Sequence, residues 1–235
     1  MRRASGRTLR LLLALACAAL TSCASLNGET DGDTAPDETG AREELRLCVL
    51  AGQGVSREQA HRLMDGVTAR FSLYRIDVTV PWIREWTRPA FTGQGIMETL
   101  VREPLEAPCD RLLALVSRHL GDFLVGLIGI EVLGAVDNAT HTRGFIVAHR
   151  ASINQILLPP GATLPHEIHH LLGCRDREGM AACRARIRRI REFATTNRAS
   201  GSDFFPGISW DGVPLLSRQA TDLAAQAWPR RSGGP

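Results

Sequence analysis

Residues 166–176 of the 235-residue chain, HEIHHLLGCRD, concentrate side chains that can bind a metal ion or move a proton. His166 and His170 are four residues apart, so on a helix both imidazoles project from one face, about one turn apart. Two imidazoles placed in this way can bind one Zn²⁺ ion at roughly 2.0–2.1 Å. Glu167 lies beside them, where its carboxylate can take a proton from a water molecule at the metal. The spacing therefore predicts zinc as the cofactor, with His166 and His170 as ligands and Glu167 as the general base.

A catalytic zinc site needs a third protein ligand and one open coordination position. Gly173 can adopt a positive φ, end the helix and turn the chain back beneath the metal, which would bring the Asp176 carboxylate to the site. Glu178 and Glu192 are alternative third ligands. On its own helix, however, Glu192 points away from the apolar face and into solvent, so Asp176 is the predicted ligand.

The other histidines and the cysteine near the motif are given supporting roles. His169 diverges from the ligand pair on the helix, so we expect it to support the site or line its rim rather than bind the metal. His141 and His149 flank a strand candidate and are interpreted as exposed surface residues. A Cys174 thiolate could bind zinc, but a disulfide with the nearby Cys183 is favoured.

The pattern HExxHxxGxxD formed by residues 166–176 resembles the active-site motif of the metzincin zinc metallopeptidases, in the aspartate form seen in snapalysin-like enzymes. The segment VLGAVDNATHTRGFIVAH, residues 132–149, is similar to the strand, loop and edge strand that precede the active-site helix of that family. In metzincins the edge strand binds extended substrate by strand addition. The resemblance covers about residues 45–197. It implies a zincin-like fold, zinc bound by two histidines and an aspartate, and hydrolysis of a peptide or protein substrate.

Metzincins also carry a methionine-containing turn beneath the metal, after the third ligand. The only methionine that follows Asp176 is Met180, four residues further along the chain. The resemblance therefore implies either a compressed Met-turn at Met180 or a site that lacks this turn.

A function of another class would use the same motif, namely a non-catalytic surface lipoprotein with a structural zinc site. Structural zinc sites are closed by four protein ligands. Cys174 or His169 would then have to coordinate the metal as well, so the number of ligands distinguishes this alternative from a peptidase.

The elements that must position these residues follow from hydrophobic periodicity. Strands are predicted at residues 45–51, 75–80, 127–136, 144–149 and 153–159, helices at 56–71, 110–121, 163–173, 181–197 and 216–228, and a loop at 200–214. Ser56 begins the first helix, with Gln59 completing a capping box, and Asp110 is predicted to cap the second. This order predicts an α/β (α+β) protein with a zincin-like mixed sheet, the motif-bearing helix packed on it, and a small C-terminal helical subdomain. The predicted single domain covers residues 44–230.

The first 43 residues contain a predicted targeting segment and a tether. Residues 1–22 combine four arginines, the apolar run LLLALACAAL and small residues, which is typical of a secretory signal peptide, and the run is too short to span a bilayer as a helix. Leu20-Thr21-Ser22-Cys23 resembles the lipobox of bacterial lipoproteins, which implies a lipid anchor on Cys23. Because residue 24 is alanine, we expect the anchor to hold the protein in the outer membrane of a bacterial cell envelope. The acidic, Gly- and Thr-rich residues 23–43 predict a flexible tether.

Four cysteines follow the predicted lipidation site, and an even number in an exported protein indicates two disulfides. Of the three pairings that can be drawn, proximity favours Cys174–Cys183, and elimination leaves Cys48–Cys109. The net charge of +3 derives from the arginines of the signal peptide, so the rest of the chain is close to neutral. The charge therefore gives no indication of a nucleic-acid partner.

Overall fold

The computed structural model of the protein describes residues 40–90, 92–117, 133–149, 160–176 and 178–227. The predicted signal peptide, the lipobox with Cys23 and nearly all of the predicted tether lie outside these residues. The predicted strand at 153–159 and most of the one at 127–136 also lie outside them. Within the described ranges, no helix is both long and apolar enough to cross a membrane.

The described residues form eight strands and five α-helices, interspersed along the chain. They are β1 (Glu43–Gly52), α1 (Arg57–Phe71), β2 (Ile76–Thr79), β3 (Ile83–Trp86), α2 (Gly93–Leu100), β4 (Arg111–Ser117), β5 (Gly134–Val136), β6 (Arg143–His149), α3 (Pro160–Leu171), α4 (Met180–Ala199), β7 (Gly207–Ile208), β8 (Pro214–Leu215) and α5 (Arg218–Gln226). A single 3-10 turn at Ser72–Tyr74 links α1 to β2. Strand β1 begins at Glu43, the last residue of the predicted tether.

Six strands form one mixed sheet in the order β2-β1-β4-β6-β5, and β3 pairs with the second half of β1. All of the pairings are parallel except that of β5, which runs antiparallel to β6 at the edge. Strand β4 is buried along all seven residues, as expected for a strand whose two faces are covered by helices. The predicted mixed α/β fold is therefore confirmed.

Alternate residues of β1 pack into two hydrophobic layers on opposite faces of the sheet. Leu47 and Val49 belong to the layer that contains α1, α3 and α4, whereas Cys48 and Leu50 belong to the layer that contains α2 and α5. The first layer includes Phe71, Ile146, Leu164, Ile168, Leu172 and Ile187, and the second includes Ile96, Leu100, Phe145 and Ala225. The apolar face of α3 is thus fixed on the sheet, and this leaves its other face to carry polar side chains.

The prediction of a helix capped by Asp110 is wrong. Residues 111–117 form β4 in the middle of the sheet, and the buried Asp110 carboxylate accepts hydrogen bonds from the backbone N–H groups of Arg46 and Phe205. A short apolar run has no decisive period of its own. Pairing with β1 on one side and β6 on the other is what makes this run a strand.

Smaller differences concern caps and loops. The Ser56 hydroxyl accepts a hydrogen bond from the N–H of Gln59 at 3.1 Å, so the predicted N-cap of α1 is confirmed. The Gln59 side chain donates instead to the carbonyl of Ala148 at the end of β6, and the second half of the capping box is not formed. The β7–β8 hairpin occupies the second half of the predicted loop at 200–214 and ends one residue after it, at Leu215.

Candidate metal centre

Helix α3 holds two of the predicted ligands on the face opposite the core. Leu164, Ile168 and Leu172 are fully buried beneath the helix. His166 and His170 meet on the other side, and their Nε2 atoms are 3.0 Å apart. Because the two nitrogens are this close, one ion can contact both of them.

Asp176 completes the predicted ligand group. Its Oδ1 atom is 3.4 Å from Nε2 of His170, and the donor atoms of His166, His170 and Asp176 all lie within 4.8 Å of one another. The Asp176 side chain is 80% exposed. The structure therefore brings the three predicted ligands together, and the group opens to solvent beside the carboxylate.

The two alternative third ligands are placed less favourably. Glu192 is exposed on α4, as its helical position predicts. Glu178 forms an ion pair with Arg186 at 2.9 Å. It also lies in a second group of potential ligands with Cys174 and Cys183, but these two sulfur atoms are bonded to each other.

The turn after α3 has the conformation that its glycine predicts. Gly173 has a φ of +89°, and its N–H donates to the carbonyl of His170 at 2.9 Å. A Cβ atom at this position would lie 2.7 Å from Cγ2 of Ile208, which is closer than carbon atoms approach without displacement. Gly173 is thus required both for the left-handed backbone and for the close packing of the turn on β7.

The two predicted disulfides, Cys48–Cys109 and Cys174–Cys183, are confirmed. The second disulfide fastens the turn after α3 to the first turns of α4. The Nδ1–H of His170 donates to the carbonyl of Cys174 at 2.9 Å. This bond fixes the tautomer of His170 and leaves its Nε2 lone pair for a metal.

The interpretation of His141 as an exposed residue is wrong. Its side chain is buried, and its Nδ1–H donates to the carbonyl of His170 at 2.8 Å. Its backbone is left-handed, with a φ of +54°, in a loop held by the buried Asp137 carboxylate, which accepts hydrogen bonds from the N–H groups of Thr140 and Thr142. Burial lowers the pKa of His141. His141 therefore supports the backbone of a predicted ligand, a contact between residues 29 positions apart that sequence spacing does not reveal.

Glu167, the predicted base, is buried between α3 and the edge strand β5. Burial, and next the negative charge of Asp176, raise the pKa of Glu167 to about 8. A Cβ atom built on Gly134 of β5 would lie 2.6 Å from Oε1 of Glu167. The carboxylate therefore fills the space above a glycine at the sheet edge, beside the three ligands.

His169 lies on a different side of α3 from the ligand group. Its Nδ1–H donates to the carbonyl of Pro165 at 2.7 Å, and its Nε2 lies 3.3 Å from the hydroxyl of Tyr74. Its ring also packs against Phe71, with centroids 4.9 Å apart. Burial, as the main cause, lowers the pKa of His169 to about 4. His169 consequently packs α3 against α1, and the expectation that it lines the rim of the site is wrong.

Two further predicted positions have a location but no assigned role. Met180 is the first residue of α4 and is partly buried against the core layer that contains Cys183 and Ile187. Its assignment as a Met-turn stays a prediction. His149 is the last residue of β6.

The predicted edge strand needs a correction. Strand β6, predicted from GFIVAH, lies between β4 and β5 and is not at the edge. Among the strands that the structure describes, β5 (Gly134–Val136) lies at this edge of the sheet; it is antiparallel to β6 and contacts α3. The hydrophobic pattern identifies β6 as a strand but does not show which strand lies outside it.

Comparisons with known proteins give distant likenesses. No protein-family model matches the chain, and no curated protein matches it. Among solved structures, an archaemetzincin from Methanopyrus kandleri is similar at 17% identity and a TM-score of 0.39, over 80% of this chain and 97% of that one. A chain from a chaperone-substrate complex is similar at 17% identity and a TM-score of 0.41, over 57% of this chain but 26% of that one. The function is therefore inferred from the geometry of the site.

Proposed function

We propose that the protein is a zinc-dependent metallopeptidase. His166, His170 and Asp176 would bind the metal, and Glu167 would act as the general base. The observation that carries the proposal is the convergence of three donor atoms within 4.8 Å of one another, beside a buried carboxylate at the edge of a sheet.

The donor set fits a zinc ion. Two imidazole nitrogens and one carboxylate oxygen form a three-ligand set that leaves a fourth position open, as in catalytic zinc sites. Burial and the neighbouring His170 lower the pKa of His166 to about 4, so its imidazole is neutral near pH 7 and can bind a metal. The hydrogen bond from His170 to the Cys174 carbonyl directs the second nitrogen to the same point.

The structural-zinc alternative lacks a fourth ligand among the described residues. Cys174 is bonded to Cys183, and both ring nitrogens of His169 are directed at Pro165 and Tyr74. The ligand group that remains has three members, which favours a peptidase over a closed structural site.

The proposed reaction is the addition of water across a peptide bond. A zinc ion at this site would polarise the scissile carbonyl and lower the pKa of a water molecule. A bound cation would offset the negative charge of Asp176, so that Glu167 is ionised. Glu167 would then take a proton from a water molecule as the water oxygen attacks the carbonyl carbon, and would deliver that proton to the leaving nitrogen as the C–N bond breaks. An extended substrate would lie along β5, whose outer backbone groups can pair with a further strand.

The test uses zinc binding and peptide hydrolysis by the purified protein. We expect about one zinc per chain by elemental analysis, and a kcat lowered by about 10²–10⁴-fold in the Glu167→Gln variant, because a positioned general base contributes a factor of that size. Glu192→Gln removes an exposed carboxylate of α4 and should leave kcat unchanged. Absence of bound zinc, or undiminished hydrolysis by Glu167→Gln, would contradict the proposal.

We also propose that a lipid on Cys23 anchors the protein in the outer membrane of the bacterial envelope. The proposed substrates are peptides or proteins. The support is the lipobox-like sequence Leu20-Thr21-Ser22-Cys23 after an apolar signal segment. In cells fed labelled palmitate, the full-length chain should become labelled and sediment with membranes. Cys23→Ser should abolish the label, and an unlabelled wild-type protein would contradict the assignment.

A further inference from the structure

The candidate base rests against a glycine of the edge strand. A Cβ atom added to Gly134 would lie 2.6 Å from Oε1, 2.7 Å from Cδ and 2.8 Å from Cγ of Glu167. A real Cβ essentially never comes within 3.0 Å of another group. The volume that a side chain at position 134 would need is therefore taken by the Glu167 side chain.

Strand β5 has little freedom to move away from a larger residue. Gly134 is paired with Ile146 of β6, and the neighbouring carbonyl of Leu133 accepts a hydrogen bond from the N–H of Val147 at 2.8 Å. On the other side, α3 is fixed to the core by Ile168. The free end of the Glu167 side chain is the group nearest to the added Cβ. This side chain would therefore be displaced before the backbone of β5 or of α3 moves.

We propose that Gly134 is the positioning residue for Glu167: the missing side chain on β5 creates the space in which the carboxylate is held beside the three donor atoms. The catalytic consequence of this placement rests on the proposed function. The packing itself does not, because it follows from the contact between β5 and α3.

The substitution Gly134→Ala should displace the carboxylate without removing any ligand. We expect the variant to bind zinc with the stoichiometry of the wild type and to show a kcat about 10–100-fold lower, since a displacement of roughly 1 Å has an effect of that size. KM should change little, because the substrate-binding backbone of β5 is kept. Gly66→Ala, at a helix position with no atom within 4 Å of an added Cβ, is the matched control and should leave kcat unchanged.

A double-mutant cycle on thermal unfolding separates this inference from the proposed function. Gly134→Ala should lower Tm by several degrees in the wild-type background, because two groups compete for one space. In the Glu167→Ala background the space is empty, so adding Gly134→Ala should leave Tm unchanged or raise it. Should Gly134→Ala alone fail to fold, a folded Gly134→Ala/Glu167→Ala protein would support the inference in the same way.

An equal loss of Tm from Gly134→Ala in both backgrounds would overturn the inference, since position 134 would then act through the backbone. Unchanged Tm and unchanged kcat in Gly134→Ala would also overturn it. If Glu167→Ala itself proves fully active, the proposed function fails. The cycle on Tm then still decides whether Gly134 makes room for Glu167.

Discussion

At the scale of single residues, Glu167 behaves very differently from a carboxylate in water. Its pKa rises from 4.5 to about 8 because the carboxyl is buried beside Asp176. Between these values the folded protein binds the proton more tightly than the unfolded chain, so the free energy of unfolding falls as pH rises through this window. In metal-free protein, we therefore expect the wild type to lose stability relative to Glu167→Gln between about pH 4.5 and pH 8, with a constant difference above and below.

Urea unfolding in the presence of a chelator, repeated across this pH range, measures the difference. Glu192→Gln, which alters an exposed carboxylate, should follow the wild-type curve at every pH. A difference between wild type and Glu167→Gln that does not vary with pH would show that Glu167 titrates normally in the folded protein.

Gly173 provides a second prediction at the same scale. Alanine at this position would be strained by the φ of +89° and would also press on Ile208. We expect Gly173→Ala to lower the free energy of unfolding by about 1–3 kcal/mol and to weaken zinc binding, because the turn that carries Asp176 must shift. Denaturant unfolding and zinc titration measure the two effects.

Gly179 offers the matched control for Gly173. It has a φ of −71°, and no atom lies within 4 Å of an added Cβ. Gly179 is the N-cap residue of α4, where alanine is less favourable than glycine. Gly179→Ala should therefore cost less than about 1 kcal/mol and should leave zinc binding unchanged. Equal effects of the two substitutions would contradict the role given to the turn.

At the scale of elements, the two disulfides should differ in what they control. Cys174–Cys183 closes a separation of 9 residues next to the ligand group, whereas Cys48–Cys109 closes 61 residues. Loop-closure entropy gives about 2.5 kcal/mol for the first and about 4 kcal/mol for the second. Replacing Cys174 and Cys183 by serine should therefore be the less destabilising change. It should nevertheless weaken zinc binding by about 10–100-fold, because loss of a group that supports a metal ligand commonly lowers metal affinity by that factor.

Unfolding and zinc titration of the two double-serine variants provide the comparison, with each variant serving as the control for the other. Removal of Cys48–Cys109 should leave the zinc affinity within about threefold of the wild type, because Cys48 lies in the layer on the opposite face of the sheet from Cys174. Equal losses of zinc affinity would show that general destabilisation, rather than support of His170, explains the effect.

The sequence predicts those elements whose evidence is local. Helix α3, the turn at Gly173 and the ligand spacing all lie within residues 160–176, where helical period and turn chemistry act. The hydrophobic pattern predicts a helix where β4 lies, because the identity of this segment depends on its pairing with β1 and β6. For the same reason the pattern does not show that β5 lies outside β6 in the sheet.

The residues of the candidate site also fall into those that the sequence predicts and those that it does not. The proposed ligands and the proposed base follow from one motif, whereas the groups that support them come from distant parts of the chain. His141 reaches the backbone of His170 from the β5–β6 loop, and Gly134 makes room for Glu167 from the sheet edge. Neither glycine nor a loop histidine carries a sequence signal for such a contact.

At the scale of the whole molecule, a buried guanidinium joins α3, the helix that carries the candidate ligands, to the C-terminal part of the chain. The Arg111 side chain is fully buried at the start of β4. Its Nε donates to the carbonyl of Leu171 at the end of α3, and its terminal nitrogens donate to the carbonyls of Phe205 and Pro206. Burial lowers the pKa of Arg111 to about 10, which still leaves it charged near pH 7.

Replacement of Arg111 should therefore affect stability far more than replacement of an exposed arginine. In Arg111→Met the carbonyls of Leu171, Phe205 and Pro206 lose their hydrogen-bond donor. Because each unsatisfied buried group costs about 1–3 kcal/mol, we expect the free energy of unfolding to fall by at least about 3 kcal/mol. Arg111→Lys should recover little, because an ammonium group cannot reproduce the fork of the guanidinium. Arg84→Met, which breaks the exposed pair with Glu106, should cost less than about 1 kcal/mol. Denaturant unfolding compares the three variants, and similar losses for Arg111→Met and Arg84→Met would show that this buried junction does not hold the C-terminal segment to the site.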